Sequence, residues 1–300
     1  MKLTQLFAAL CALPLMATAA VSFDAAEANR PAYTDIAYVQ SSSSGKAHAL
    51  DIYLPSKRTK NAPLIVYIHG GGWKVGDKDF AAFQAKTGVH RLIKALLNEG
   101  YAVASVNYRL SGEARFPAQT QDVNQAIDYL SRHAKQYGFN TKRIAVMGDS
   151  AGAHLAQLTA AAHGRDKIRA LVSFYGVSDL RNVKMERMAK NCSDNKAMPS
   201  ENTREGVLVG EAVDSAAFNR AADAASPIHQ VHAHMPPALL FHGDSDCAVP
   251  HTQSLKMHLA LQSVNVPSEW VLIEGLGHMA PEFHNDANNR RVLNFLKQHL

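Results

Sequence analysis

Among the 300 residues, one pentapeptide has the composition to carry covalent chemistry: Gly148-Asp149-Ser150-Ala151-Gly152. It follows a short apolar run, Ile144 to Met147, and opens an alanine-rich stretch, Ala151 to Ala162, that reads as a helix. A serine on a sharp strand-to-helix turn is exposed for attack, and its neighbours must be small so that other backbone can come close. At a helix N-terminus Ser150 also meets the positive end of the helix dipole, which favours an anion developing beside it. A second glycine-rich segment, His69-Gly70-Gly71-Gly72-Trp73, follows another apolar run. Successive glycines lose much backbone entropy on folding, a cost consistent with a path that points N–H groups at an oxyanion. The expected donors are the amides of Gly71, Gly72 and Ala151. His69 is expected to brace this loop rather than to move protons. Trp73 and Asp149 are candidates for a substrate pocket, with plain packing left open for Trp73.

A serine nucleophile needs a base and a group that orients the base. Both should come later in the chain, each in a loop after a strand. The apolar run ending at Phe241 enters His242-Gly243-Asp244-Ser245-Asp246-Cys247-Ala248-Val249-Pro250, where two acids compete. Asp246 is the expected partner, because it stands four residues before Pro250, where the loop turns into the next helix. Asp244, nearer the strand end, is expected to stabilise the turn. The final apolar run leads to Glu274-Gly275-Leu276-Gly277-His278, and the glycine-flanked His278 is the expected base. His229, His232, His234, His242, His251 and His258 show no metal-ligand spacing and read as solvated or structural. No metal site is expected on this spacing.

The elements that must position these groups alternate between short β-branched runs and longer amphipathic stretches, the rhythm of an α/β fold with a central, mostly parallel sheet flanked by helices. Expected strands are Leu64 to Ile68, Ala102 to Tyr108, Ile144 to Met147, Ala170 to Tyr175, Ala238 to Phe241 and Trp270 to Ile273. Their near-continuous hydrophobicity suits strands buried on both faces. Leu92, Ile93, Leu96 and Leu97 fall at helical spacing and end at Gly100, Val123, Ala126, Ile127 and Leu130 form a second such stripe, and Val292, Phe295 and Leu296 mark a C-terminal helix. Ser41 to Gly45 reads as an exposed turn between N-terminal strands. From 179 to 225 the rhythm lapses, and a partly helical lid or cap insertion is expected, a surface excursion being the other reading.

Composition bounds the rest. With 47% hydrophobic and 19% charged residues the chain can bury one sizeable core. A formal charge of +5 from scattered lysines and arginines argues against a nucleic-acid partner. Lys2, the apolar run Leu6 to Met16 and the small residues Ala17-Thr18-Ala19 read as a secretory signal over 1–19, leaving 20–300 as a single domain. A periplasmic or secreted protein is expected, with no later run long enough to span a membrane. Loss of the signal leaves Cys192 and Cys247, for which a disulfide is expected in an oxidising compartment, two buried thiols being the alternative. Oligomeric state is not legible.

Taken together, the His69–Trp73 loop, the Gly148–Gly152 elbow, the His242–Pro250 segment and Gly277-His278 resemble the hormone-sensitive-lipase-like and bacterial feruloyl-esterase-like (polysaccharide ester) carboxylesterases of the α/β-hydrolase superfamily. The resemblance covers roughly Asp51 to the C-terminus. It implies the α/β-hydrolase fold and hydrolysis of small-molecule or carbohydrate carboxylic esters through an acyl-serine, with neither metal nor organic cofactor. Gly76-Asp77-Lys78 leans towards the polysaccharide-ester branch, so short-chain or aromatic acyl esters, acetyl or feruloyl, are the expected substrates. An amide or formamide hydrolase of the kynurenine formamidase type is the alternative, since that type uses a related loop and the same triad.

Overall fold

The structure is a computed structural model that describes residues 30–39, 45–55, 60–80, 83–190 and 203–300. The expected signal over 1–19, the Ser41 turn and Cys192 lie outside the described residues.

Eight strands form one sheet in the order β1-β2-β4-β3-β5-β6-β7-β8. They are β1 Tyr33–Ala37, β2 Ala49–Tyr53, β3 Ala62–Ile68, β4 Ala102–Val106, β5 Phe139–Asp149, β6 Ala170–Phe174, β7 Ala238–Gly243 and β8 Ser268–Ile273. The β1–β2 and β2–β4 pairs are antiparallel, and every pair from β4 to β8 is parallel. Parallel strands need crossovers, and the helices that supply them cover both faces. On β3, Leu64, Val66 and Ile68 join one apolar layer while Ile65 and Tyr67 join the other, as the two-residue period of a strand requires. The first layer is completed by α2 (Ala118–Arg132), α4 (Ala151–Lys167, broken at Gly164) and α8 (Thr252–Ser263), through Val123, Ile127, Leu155, Met257 and Leu261. The second is completed by α1 (Val89–Asn98) and α9 (Asp286–His299), through Leu92, Ile93, Leu96, Val292 and Leu296.

The expected strands are present, with shifted ends. β5 begins at Phe139, upstream of the apolar run, because Phe139 pairs with Ala62 across an irregularity in the β3–β5 ladder. β4 stops at Val106, where Asn107 turns its N–H to the Ala49 carbonyl and the Tyr108 hydroxyl donates to the His69 carbonyl. β8 is an edge strand and alternates between partly buried and exposed positions, unlike the fully buried β3 and β6. The stretch 179–225 holds α5 (Val183–Ala189), α6 (Arg204–Val209) and α7 (Ala216–Ala225), while the short α3 (Ala134–Tyr137) lies between α2 and β5. Because β3 and β5–β8 run the same way, the loops after their C-terminal ends gather at one rim of the sheet.

Candidate active site

Ser150 lies between β5 and α4 with φ 52° and ψ −118°, a strained conformation for a residue with a β-carbon. The strain is held by contact on all sides. A β-carbon on Gly152 would lie 2.0 Å from the Ile68 carbonyl oxygen, and one on Gly148 would lie 2.5 Å from the Gly152 carbonyl carbon. Both glycines are therefore demanded by backbone approach, and the elbow is wedged between β3 and the start of its own helix. The Ser150 N–H is anchored on the Phe174 carbonyl at 2.9 Å, which leaves the hydroxyl as its reactive group.

Asp246 and His278 reach that hydroxyl from the loops after β7 and β8. The His278 Nε2 is 2.9 Å from Ser150 Oγ, and its Nδ1 is 2.6 Å from Asp246 Oδ2. A carboxylate can only accept, so Nδ1 carries the proton and Nε2 presents a lone pair to the serine O–H. Asp246 is fully buried, and its Oδ1 accepts the N–H groups of Ala248 and Val249 at 2.9 and 2.8 Å. Burial pushes this carboxyl's pKa up, but hydrogen bonds and attraction from His242 and His278 outweigh it and hold the group well below the ordinary carboxylate range. Asp244 does something else. Its Oδ1 accepts from Ser245 Oγ at 2.9 Å and from the Gly275 N–H at 2.7 Å, stitching the two loops together. Gly243 allows them to meet, since a β-carbon there would lie 2.1 Å from the Leu276 carbonyl oxygen.

Gly71 and Gly72 take φ 110° and 61°, which glycine alone adopts freely. Among the described residues, the N–H groups of Gly71, Gly72 and Ala151 have no hydrogen-bond acceptor, whereas their neighbour Gly70 donates to Asp149 Oδ1 at 3.0 Å. Unsatisfied backbone donors are what a site for a developing oxyanion requires. His69 braces the loop: it is buried, stacks on Tyr108 at 4.4 Å between ring centroids, and has its Nδ1 2.7 Å from the Gly70 carbonyl. Burial pushes its pKa down to about 4, so it is neutral at physiological pH.

Trp73 and Asp149 have bracing geometry rather than the exposed surface of pocket walls. Trp73 is 2% exposed and donates through Nε1 to His154 Nδ1 at 3.2 Å, the packing alternative. Asp149 is 1% exposed and accepts the Tyr67 hydroxyl at 2.5 Å, which ties the elbow to β3 and to the glycine loop. Burial raises its pKa against those hydrogen bonds. Cys247 is half-buried directly after Asp246.

Sequence reasoning missed four supports. Tyr67 holds Asp149, as above. Tyr175, at the end of β6 with φ 42°, sets its ring edge-on against the His278 imidazole at 4.9 Å between centroids. His242, read as solvated or structural, lies beside the acid, with Nε2 2.8 Å from the Val249 carbonyl and 3.4 Å from Asp246 Oδ2. Lys190 donates to the Asp244 carbonyl and, at 2.8 Å, to the Asp246 carbonyl. A signal existed for two of them, since Tyr175 and His242 both stand at C-terminal strand ends. Among the described residues no group of three or more His, Cys, Asp or Glu side chains is placed to hold a metal ion, and no helix is long and apolar enough to cross a membrane.

Comparison with known families decides the lineage. The BD-FAE family model matches residues 50–261, most of the chain and all of the elbow and glycine loop. The chain belongs to the BD-FAE family. Esterase LipQ of Mycobacterium tuberculosis is 30% identical to this BD-FAE chain over 234 residues, 73% of this chain and 50% of that protein. An acetyl esterase of Salmonella schwarzengrund is 27% identical over 238 residues, 75% of this chain and 67% of that one. The chain spans about half the length of the first of these curated relatives. Among solved structures, a truncated carbohydrate esterase from gut microbiota aligns with a TM-score of 0.76 and 26% identity, covering 91% of this chain and 97% of that one. Esterase B of Lactobacillus rhamnosis, 23% identical with a TM-score of 0.69 over 89% of this chain and 86% of that one, shares the fold. This BD-FAE protein has the α/β-hydrolase fold, and its named relatives are esterases.

Proposed function

We propose that the protein is a serine carboxylic ester hydrolase that works through an acyl-serine intermediate, with Ser150 as nucleophile, His278 as base and Asp246 as the group that orients it. The observation that carries the proposal is the unbroken chain from Ser150 Oγ to His278 Nε2 at 2.9 Å and from Nδ1 to Asp246 at 2.6 Å, set on the strained elbow. Ser150 Oγ bonds to the ester carbonyl carbon while its proton passes to His278 Nε2. The carbonyl π pair moves onto oxygen, held by the amides of Gly71, Gly72 and Ala151. Collapse expels the alcohol, which takes the proton from His278. Water then gives its proton to His278 and its oxygen to the acyl carbon, and the acid leaves with Ser150 restored.

Acetyl or feruloyl esters of plant polysaccharide are the proposed substrates. The names of the gut carbohydrate esterase and the Salmonella acetyl esterase support this reading. Turnover of p-nitrophenyl acetate, methyl ferulate and acetylated xylan, set against an aryl formamide, tests it. Faster hydrolysis of the formamide than of any ester would overturn it.

Export through residues 1–19, a lid over 179–225 and a Cys192–Cys247 bridge belong to the same proposal. The disulfide-bonded state of Cys247 supports the bridge, which would tie the lid to the loop bearing Asp246. Intact mass after alkylation without reductant tests it: two alkylated thiols would refute the bridge.

A further inference from the structure

The oxyanion loop has an unexplained neighbour. Arg204, the first residue of α6, lays its side chain over Gly72: a β-carbon on Gly72 would lie 2.8 Å from Arg204 Cδ and 3.3 Å from its Nε. The residue is exposed, and among the described residues its guanidinium has neither an ion pair nor a hydrogen bond. The backbone that carries it is nonetheless held. Thr203 caps α6 by accepting the Gly206 N–H at 3.0 Å. Buried Glu205 pairs with Arg187 at 2.6 Å, and Arg187 Nε donates to the Ala248 carbonyl at 2.6 Å, in the loop that carries Asp246. The acid next to Arg204 in sequence is thus engaged elsewhere and does not neutralise it. At the other end of α6, Arg115 lies against Gly210, where a β-carbon would come 2.4 Å from its Cζ, and among the described residues it too has no acidic partner. Its near neighbour Glu113 has Oε2 on the Leu110 N–H at 2.7 Å.

A guanidinium offers five donors in a planar fork matched to a carboxylate, and one left unpaired at a catalytic rim is available to a substrate anion. We infer that Arg204 forms an anion subsite beside the oxyanion loop, selecting esters that carry a carboxylate a few atoms from the scissile carbonyl, such as acyl esters on acidic saccharides or half-esters of dicarboxylic acids. This rests on the reading of Gly72 as part of the oxyanion loop of an esterase. Arg204 acts on binding and takes no part in proton transfer. Arg115 adds to the positive field along α6 and strengthens attraction at low salt.

The test uses two matched pairs: p-nitrophenyl hemisuccinate against p-nitrophenyl valerate places the charge on the acyl side, and 4-acetoxybenzoate against phenyl acetate places it on the alcohol side. The readout is the ratio of kcat/KM for the anionic over the neutral member, in the full chain and in Arg204→Gln and Arg204→Lys. In at least one pair the ratio falls about ten- to hundred-fold in Arg204→Gln, chiefly through KM, as expected for loss of a charge-assisted contact. Arg204→Lys restores part of it, and 0.5 M NaCl lowers it in the parent protein. Ratios unchanged in both pairs overturn the subsite, as does a fall in all four rates that leaves the ratios constant, which would make Arg204 a prop for the loop. Failure of the parent protein to turn over any of the four esters overturns instead the esterase reading on which the subsite rests.

Discussion

Replacing Asp246 by asparagine exchanges one carboxylate oxygen for an NH2 group of nearly the same size, and the surrounding hydrogen bonds decide which oxygen is lost. Oδ1 accepts two backbone N–H groups, from Ala248 and Val249 at 2.9 and 2.8 Å. An amide turned with its NH2 towards them would orphan one buried and one half-buried donor, at about 1–3 kcal/mol for the buried one. The asparagine oxygen must therefore stay on the backbone side, which sets the NH2 against His278 Nδ1, 2.6 Å from the present Oδ2. Nδ1 must then accept, the ring proton moves to Nε2, and Nε2 can no longer take the proton of Ser150. A forced wrong tautomer of this kind costs a serine hydrolase on the order of 10⁴-fold in kcat. Asp244→Asn should cost less than about threefold, because an asparagine oxygen can still accept the Gly275 N–H that Asp244 holds at 2.7 Å. The assay is kcat/KM on p-nitrophenyl acetate for both variants, with circular dichroism and urea unfolding to show that each is folded. Equal losses in two folded variants, or a larger loss in Asp244→Asn, would refute the assignment of Asp246.

Three other predictions rest on different parts of the site. His69, His154 and His284 are buried, and burial pushes their pKa values down to about 4, 4 and 3. A histidine with a depressed folded pKa leaves stability intact above the unfolded value near 6.5 and erodes it as pH falls towards the folded value, because only the unfolded chain binds the proton. Together they should remove up to about 4 kcal/mol per pH unit between roughly pH 6 and 4.5, read by urea unfolding at several pH values, and a stability that stayed level or rose from pH 7 to 5 would contradict this. Gly152→Ala drives a methyl group to 2.0 Å from the Ile68 carbonyl oxygen, so it should destabilise by about 1–3 kcal/mol or more and abolish most turnover; a fully active, equally stable variant would show the elbow to be looser than described. Tyr67→Phe removes the 2.5 Å hydrogen bond to buried Asp149 and should cost about 1–3 kcal/mol along with a measurable loss in kcat, which a variant unchanged in urea unfolding and kcat would exclude.

How far the sequence could be read depended on whether a role was local. Ser150 was legible because its pentapeptide, the apolar run before it and the alanine-rich helix after it lie next to one another in the chain. The glycines at 71 and 72 were legible because a run of them has few other uses. Asp246 was separable from Asp244 by its distance from the strand end, and the structure adds that Asp244 Oδ1 faces Gly275 while Asp246 Oδ2 faces His278. Tyr67, Tyr175 and His242 were not recognised as supports of the site, because their partners lie 82, 103 and 4 residues away and only the sheet register brings the first two together. His242 is close to Asp246 in sequence, but a histidine at a strand end gives no sign of which way its ring turns. Strand ends were blurred for a related reason: Asn140 to Arg143 are polar, yet they continue β5 towards the Phe139–Ala62 pairing.

The account turns on Ser150 as the group that becomes acylated. Treatment with a fluorophosphonate, followed by peptide mapping, should place one adduct on Ser150, with label and ester turnover both lost in Ser150→Ala while urea unfolding shows that the variant remains folded. Labelling at another residue, or a folded Ser150→Ala protein that still hydrolyses p-nitrophenyl acetate at the parent rate, would contradict it.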